Sequence, residues 1–294
     1  IDLETRDPNL ITMGSGSVRG DGEVIGIAVA VEGWSGYFPI NHEGGGNMDR
    51  ALTLDWFEEV LHTPATKIFH NAMYDVSWIR SLGFQINGGI VDTLIAASLI
   101  NENRWGYSLN ALGKEYVGMG KNEKILNEAA KDWGVDPKSE MWRLPAPLVG
   151  EYAEQDAIVT LKLWHALQHE ISKQDLWDVF NMETNLFPCL VDMKFKGVRV
   201  DINKAEALKK QLTVTEKDMH RDIKKLAGFD VEIWAAASIA KAFDKEKIPY
   251  DRTEKGAPSF TKNFLATHPA ELPKLINEAR EINKANTTFI ETIL

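Results

Sequence analysis

Apolar residues in the first half of the chain alternate between two spacings. Ile1 to Thr5, Glu23 to Val31, Tyr37 to Ile40 and Lys67 to His70 read as extended segments, the second a β-branched apolar run. Helical spacing marks Thr53 to His62, with Leu54, Phe57 and Leu61 on one face, and then Asp75 to Leu82 and Thr93 to Ile100. Gly- and Asn-rich stretches at Gly14 to Gly16, Gly44 to Asn47 and Asn87 to Gly89 punctuate the series. Residues 108–175 read as almost wholly helical, with a loop from Pro137 to Pro147. Strands interleaved with helices predict an α/β fold, a sheet layered by helices.

From Leu176 onward helical periodicity dominates, over Leu176 to Phe195, Asn203 to Leu226, Ala235 to Phe243 and Leu272 to Leu294. A turn and short strand from Gly197 to Asp201 and a loop from Pro249 to Pro258 interrupt it. The change of character predicts two domains, 1–175 and 176–294. No internal repeat or low-complexity tract is visible.

Composition adds bounds. A chain of 294 residues, 44% hydrophobic and 26% charged, is that of a soluble globular protein with enough residues for a sizeable core. Cys189 is the single cysteine, so no internal disulfide forms, and a reducing, cytoplasmic setting is expected. Apolar stretches such as Ala28 to Val31 are far too short to span a bilayer. The net charge of −10 is unevenly spread: residues 1–175 hold 25 acidic and 14 basic side chains, residues 176–294 hold 18 and 19. Acidity therefore belongs to the first half. Net charge bears on solubility and steering and does not decide what one cleft binds.

Three short acidic segments carry the chemistry: Asp2-Leu3-Glu4-Thr5, Asn71 through Asp75, and Tyr152 through Asp156. Residues two apart on a strand share a face, so Asp2 and Glu4 project together. Tyr152 and Asp156 are four apart in a helical pattern and stack one turn apart. Asp75 falls at a strand-to-helix junction, where catalytic crevices of open α/β sheets lie. Four carboxylates converging without cations would push some of their pKa values up. Hard divalent ions relieve this, and two of them can serve an in-line phosphodiester displacement. Each segment alone has a plain alternative: solvent-facing acids, a capped turn, or the edge of an amphipathic helix. Their joint occurrence, in this order, is far more specific.

The three segments resemble the motifs of the 3′→5′ proofreading exonuclease of family A DNA polymerases, in the version with tyrosine in the third motif, and are most similar to those of bacteriophages. The resemblance implies a ribonuclease H-like (DnaQ-like) exonuclease domain, a mixed sheet flanked by helices, followed by a mainly helical partial polymerase region. It implies two divalent cations, Mg²⁺ or Mn²⁺, held by Asp2, Glu4, Asp75 and Asp156, with Tyr152 positioning the nucleophile. Leu3, Thr5 and Asn71 would touch the terminal nucleotide. Asp92, at the head of Asp92-Thr93-Leu94, is expected to orient or cap. Ser108 is expected to cap a helix despite Asn110 standing where the family usually has aspartate.

Residues Glu183 to Asp201 are similar to the family's crossing into the polymerase, and Thr253 to Phe260 and Arg280 to Phe289 to the start of its thumb. Arg280, Lys284, Asn286, Thr287 and Thr288 are the DNA-backbone candidates, since such contacts position DNA without reading sequence. Trp234-Ala235-Ala236-Ala237 departs from the family's Asn/Ser pair there. Counterparts of the palm aspartates and the fingers helix are lacking, so no polymerisation is expected from this chain alone. Both ends are expected to be cuts in a longer protein, with strand pairing before Asp2 missing, which would loosen Asp2 and Glu4.

His165 and His169, four apart on a helix, are read as a solvent-facing pair and His70 as an end-of-strand packing residue. The expected activity is removal of nucleoside monophosphates from DNA 3′ ends in phage-type replication, by a monomer. Its partner would be a single-stranded or frayed end, with primer–template duplex on the thumb-like part. The alternatives are a ribonuclease D-like 3′→5′ exoribonuclease and an inert DNA-binding fragment.

Overall fold

The computed structural model describes residues 1–120 and 123–294, which form two compact units, Ile1–Gly197 and Val198–Leu294. In the first, β1 (Asp2–Arg6) leads through two single-turn helices, α1 (Leu10–Met13) and α2 (Gly16–Arg19), into β2 (Glu23–Val31) and β3 (Trp34–Pro39). Next come α3 (Arg50–His62), β4 (Lys67–Phe69), α4 (Ala72–Ser81), β5 (Ile90–Asp92) and α5 (Thr93–Ile100). Helices α6 (Leu109–Tyr116), α7 (Lys124–Trp133), α8 (Ala146–Lys173) and α9 (Trp177–Lys196) complete the unit.

The mixed sheet of the sequence pattern is realised as two small sheets, antiparallel β1-β2-β3 and parallel β4-β5. The Ile1 nitrogen donates to the Ile68 carbonyl at 2.9 Å, tying β1 to β4. Pairing of β1 with β2 starts with Asp2 opposite Ala28. Strand β5 escapes the periodicity, because three residues behind a glycine-rich turn show no alternation.

The two faces of β2 differ in side-chain size, and this sets the architecture. Ile27 and Val29 join Leu3, Phe57, Leu61, Phe69 and Ile79 in one core beneath α3 and α4. On the other face Ala28 meets Ala153 and Ala157 of α8. Small residues on both elements let the long helix sit close to the sheet. A third core joins α5, α6 and α8 through Leu112, Val159, Leu163 and Leu167.

Helix α9 packs within the first compact unit, which runs to Gly197. Phe180 stacks on Trp164 with centroids 5.3 Å apart, and Phe187 and Val191 enter the core that holds Val76 and Ile79. Lys194 Nζ donates to Ser77 Oγ at 3.2 Å, and Arg80 pairs with Asp192. The helix ends at Gly197, whose φ of 66° suits only glycine.

In the second unit, α10 (Ile202–Ala227), α11 (Ala236–Lys245), α12 (Lys262–Thr267) and α13 (Glu271–Lys284) surround Ile223, Ile239, Phe243, Leu265 and Ile276. The segment 197–201, expected to hold a strand, has none, whereas the expected loop carries a two-residue hairpin, β6 (Asp251–Arg252) with β7 (Pro258–Ser259). No helix among the described residues is long and apolar enough to cross a membrane.

Truncating Phe187 should remove a buried anchor of α9. Phe187→Ala is expected to cost about 3–5 kcal/mol in urea unfolding of the first unit, followed through its tryptophans. An unchanged midpoint would place α9 outside the first unit's core.

Candidate active site

Strand register positions the first two carboxylates. Asp2 lies opposite Ala28 and Glu4 opposite Gly26, so both project on the side of the sheet that α8 covers. A register shift between Glu4 and Thr5 then bends the strand away.

Asp75 arrives through a strained turn. Asn71 precedes α4 with φ 65° and ψ 51°, a left-handed conformation that asparagine tolerates better than most residues. Asp92 holds this turn, accepting from the backbone N–H groups of Asn71 (2.9 Å), Ala72 (2.8 Å) and Leu94 (2.9 Å) while it caps α5. Burial raises the Asp92 carboxyl above its usual range, partly offset by those three donors. Its role as orienter and cap is thereby seen directly. One turn into α4, Asp75 is 4% exposed, and its Oδ1 accepts the Leu3 N–H at 2.9 Å. This bond ties the first segment to the second. Burial, and next the charge of Asp2, push the Asp75 carboxyl well above the ordinary value.

The third segment lies on α8, where Asp156 is 2% exposed. The Tyr152 hydroxyl is held protonated far above its normal range, by burial first and then by the charges of Glu4, Asp156 and Asp2. Asp2, Glu4, Asp75, Tyr152 and Asp156 thus share one electrostatic field across three elements.

The other expected contacts divide. The Thr5 hydroxyl is hydrogen-bonded to the Tyr74 hydroxyl at 2.6 Å, and Tyr74, pushed up to about 12 mainly by burial, lies edge-on to Trp78. The Asn71 side chain is exposed at the rim. Leu3 does not turn its side chain to this site: it is 5% exposed and packed in the opposite core, as the alternation along β1 requires. Two residues missed in the sequence join the site, Tyr74 from within the second motif and Tyr37 from β3. No sequence signal marks Tyr37, whose hydroxyl lies where a Cβ at Gly26 would stand, a contact visible only in the fold.

In the second unit Arg280 is not placed to grip a phosphate. Its Nε and Nη1 donate to the carbonyls of Ile233 (2.6 Å) and Phe260 (2.9 Å), and its guanidinium lies 5.1 Å from the Trp234 ring centre. It is a partly buried strut, with burial pulling its pKa down. Asn286 is buried within a π-helical turn, Ala285–Ile290. Lys284, Thr287 and Thr288 are exposed. His165 and His169 face solvent as expected, His165 beside Glu32 at 3.3 Å. His70 Nδ1 lies 2.9 Å from the Thr93 hydroxyl at the strand end, and Ser108 caps α6 through the Ala111 N–H.

The donor set suits a hard divalent cation: carboxylate oxygens, some buried and driven toward protonation by one another. Among the described residues no three such side chains close on a point as a ready-made cage. That spread fits ions held by one or two carboxylates each, with water and substrate phosphate completing the shell.

The α/β unit thus brings acidic side chains from a strand, a strand-to-helix turn and a late helix to one side of the β1-β2-β3 sheet. Residues 12–172 match the family model described as 3'-5' exonuclease, which begins just after the Asp2–Thr5 segment. The chain belongs to the 3′–5′ exonuclease family of family A DNA polymerases, with its ribonuclease H-like fold, a family generally dependent on divalent metals. It is 34% identical to a DNA-directed DNA polymerase of Pseudomonas phage M6, over all of this chain and 45% of that one. It is 31% identical to DNA polymerase DpoZ of Acinetobacter phage SH-Ab 15497, over 80% of this chain and 40% of the relative. The chain therefore spans about half the length of the curated relatives it matches. The POL domain of Pol1 from M. smegmatis, solved with DNA primer-template and dNTP, shares the fold with a TM-score of 0.67 at 17% identity, over 92% of this chain and 43% of that one.

The raised Asp75 carboxyl has a stability consequence. The folded chain holds this proton to higher pH than the unfolded chain, so stability falls as pH rises through the ordinary carboxylate range near ~4. Asp75→Asn keeps the Oδ1 acceptor and deletes the charge. In chelator at pH 7 it should raise Tm by roughly 2–4 °C for each kcal/mol relieved, a gain that vanishes below about pH 3.5. An unaltered Tm at both pH values would deny the charge crowding.

Proposed function

We propose that this chain is a divalent-metal-dependent 3′→5′ exonuclease that removes nucleoside monophosphates from DNA 3′ ends, as the proofreading part of a phage-type family A polymerase. The observation that carries this reading is the placement of Asp2 and Glu4 on the α8 side of β1, with Asp75 tied to that strand through Leu3 N–H and Asp156 buried on α8. Four carboxylates and one tyrosine held there have no structural use that apolar residues would not serve better.

Asp2, Glu4, Asp75 and Asp156 would hold two Mg²⁺ or Mn²⁺ ions. Bound there, the ions would supply the positive charge that lets a water lose its proton near neutral pH and that offsets charge on the departing oxygen. The residues do the rest. Leu3 N–H fixes the Asp75 carboxylate, and Asp92 fixes the turn that delivers it. Burial and the neighbouring carboxylates favour the protonated Tyr152 hydroxyl, which would orient the attacking water by a hydrogen bond. Asn71 and the Thr5–Tyr74 pair border the place of the terminal nucleotide. Water attacks phosphorus, the 3′ oxygen of the preceding nucleotide leaves, and a 5′-monophosphate is released. Residues 1–197 would be the exonuclease part and 198–294 the connector and partial thumb. There Lys284, Thr287 and Thr288 would meet the DNA backbone.

A strand labelled at its 5′ end should shorten stepwise in Mg²⁺ and stop in EDTA. Asp2→Ala and Asp156→Ala should each lose roughly 10²-fold or more, since even outer-shell partners of metal ligands cost about 10–100-fold. Tyr152→Phe should fall by tens-fold with binding retained. Full activity of Asp2→Ala would sink the assignment, and faster cleavage of an RNA strand of the same sequence would move it to the exoribonuclease reading. Lys284→Ala should weaken duplex binding uniformly across sequences and lower the salt slope by about 1, measured by anisotropy.

A further inference from the structure

Behind the carboxylates lies a hydrogen-bonded chain that the mechanism above leaves unused. His42 is 3% exposed, and its Nδ1 lies 3.0 Å from the Leu144 carbonyl. A carbonyl can only accept, so Nδ1 carries the hydrogen. Burial disfavours a second proton on the ring, leaving a lone pair on Nε2. That atom lies 2.6 Å from the Tyr37 hydroxyl, which must therefore be the donor. The imidazole is fixed from the backbone as well: Asn47 accepts the His42 N–H at 2.6 Å and donates to its carbonyl at 2.8 Å.

The Tyr37 oxygen occupies the space that a side chain at position 26 would need, 2.0 Å from a Cβ built there. Gly26 lies directly opposite Glu4 on the face that bears Asp2 and Glu4. Directly opposed side chains in a sheet start about 4.5–5.5 Å apart, so the tyrosine oxygen lies over the position opposite Glu4, on the face from which Glu4 projects. The charges of Glu4 and Asp2 both reach the Tyr37 hydroxyl. With its single proton committed to His42, Tyr37 turns only lone pairs toward Glu4. Lone pairs beside a carboxylate serve a ligand that brings hydrogens.

We propose that Tyr37 and His42 are positioning residues of the exonuclease: the Leu144 carbonyl sets the His42 tautomer, His42 takes the Tyr37 proton, and the Tyr37 oxygen accepts a hydrogen bond from a water shared with Glu4. This rests on the exonuclease reading. Tyr37→Phe deletes the acceptor and keeps the ring. His42→Leu releases the Tyr37 hydrogen to turn toward Glu4. Each should lower kcat by about 10–100-fold, as supporting partners of metal sites do, with KM within about twofold. The double variant should lose no more than either single one, because the pair acts as a unit.

The test compares wild type, Tyr37→Phe, His42→Leu, the double variant and Asp2→Ala in 3′-end trimming, with Tm measured for each. Histidine ¹⁵N spectra at pH 7 supply a readout free of activity. Among the seven histidines, the signal lost in His42→Leu should be a neutral ring with hydrogen on Nδ1. Wild-type kcat in Tyr37→Phe while Asp2→Ala is inactive overturns the proposal, as does hydrogen on Nε2 of His42. Loss of Tm without loss of kcat in the folded variants would make the pair merely structural. Activity in Asp2→Ala equal to wild type would instead bring down the exonuclease reading, with the spectra still deciding the tautomer.

Discussion

The close seating of α8 on the β1-β2-β3 sheet governs everything in the first unit. Ala28 on the strand and Ala153 and Ala157 on the helix keep this interface thin. A thin interface brings Asp156 and Tyr152 within the field of Asp2 and Glu4. Larger side chains would hold the helix farther out and dilute the charge that defines the crevice. The opposite face of β2 bears the bulk of the packing, with Ile27 and Val29 against Phe57 and Leu61. One face thus supplies cohesion while the other is free to hold unfavourable chemistry.

That chemistry is held by hydrogen bonds placed at joints of the chain. The Leu3 N–H to Asp75 bond joins the first strand to α4, and Asp92 locks the left-handed Asn71 turn from the head of α5. Both acceptors are buried carboxylates, so each joint stores charge where water cannot screen it. Such a site is poised for cations because its cation-free form is under electrostatic stress.

Much of this was legible in the chain. The D-x-E alternation put Asp2 and Glu4 on one face, and the four-residue spacing put Tyr152 and Asp156 on another, because strand and helix periods are local properties. The same alternation should have sent Leu3 to the opposite core, a step the motif resemblance overrode. Strand β5 and the β6–β7 hairpin were hidden because two or three residues carry no period. Arg280 looked like a surface cation, since a helix pattern cannot say that two loop carbonyls lie within reach of its guanidinium. The position of α9 was equally non-local: Leu176 to Phe195 showed only helical periodicity, and only the tertiary core shows which unit Phe187 and Val191 serve.

Gly26 carries a consequence for how this sequence can drift. Any side chain there would strike the Tyr37 hydroxyl, so positions 26 and 37 form a locked pair in mutational space. A lineage that acquires alanine at 26 must first surrender the tyrosine oxygen or shift its ring. The His42 ring would then be left with an orphaned lone pair in the interior. Drift at one glycine in a strand would therefore be felt two steps away, at a histidine beyond its reach, and these positions should change as a group or not at all.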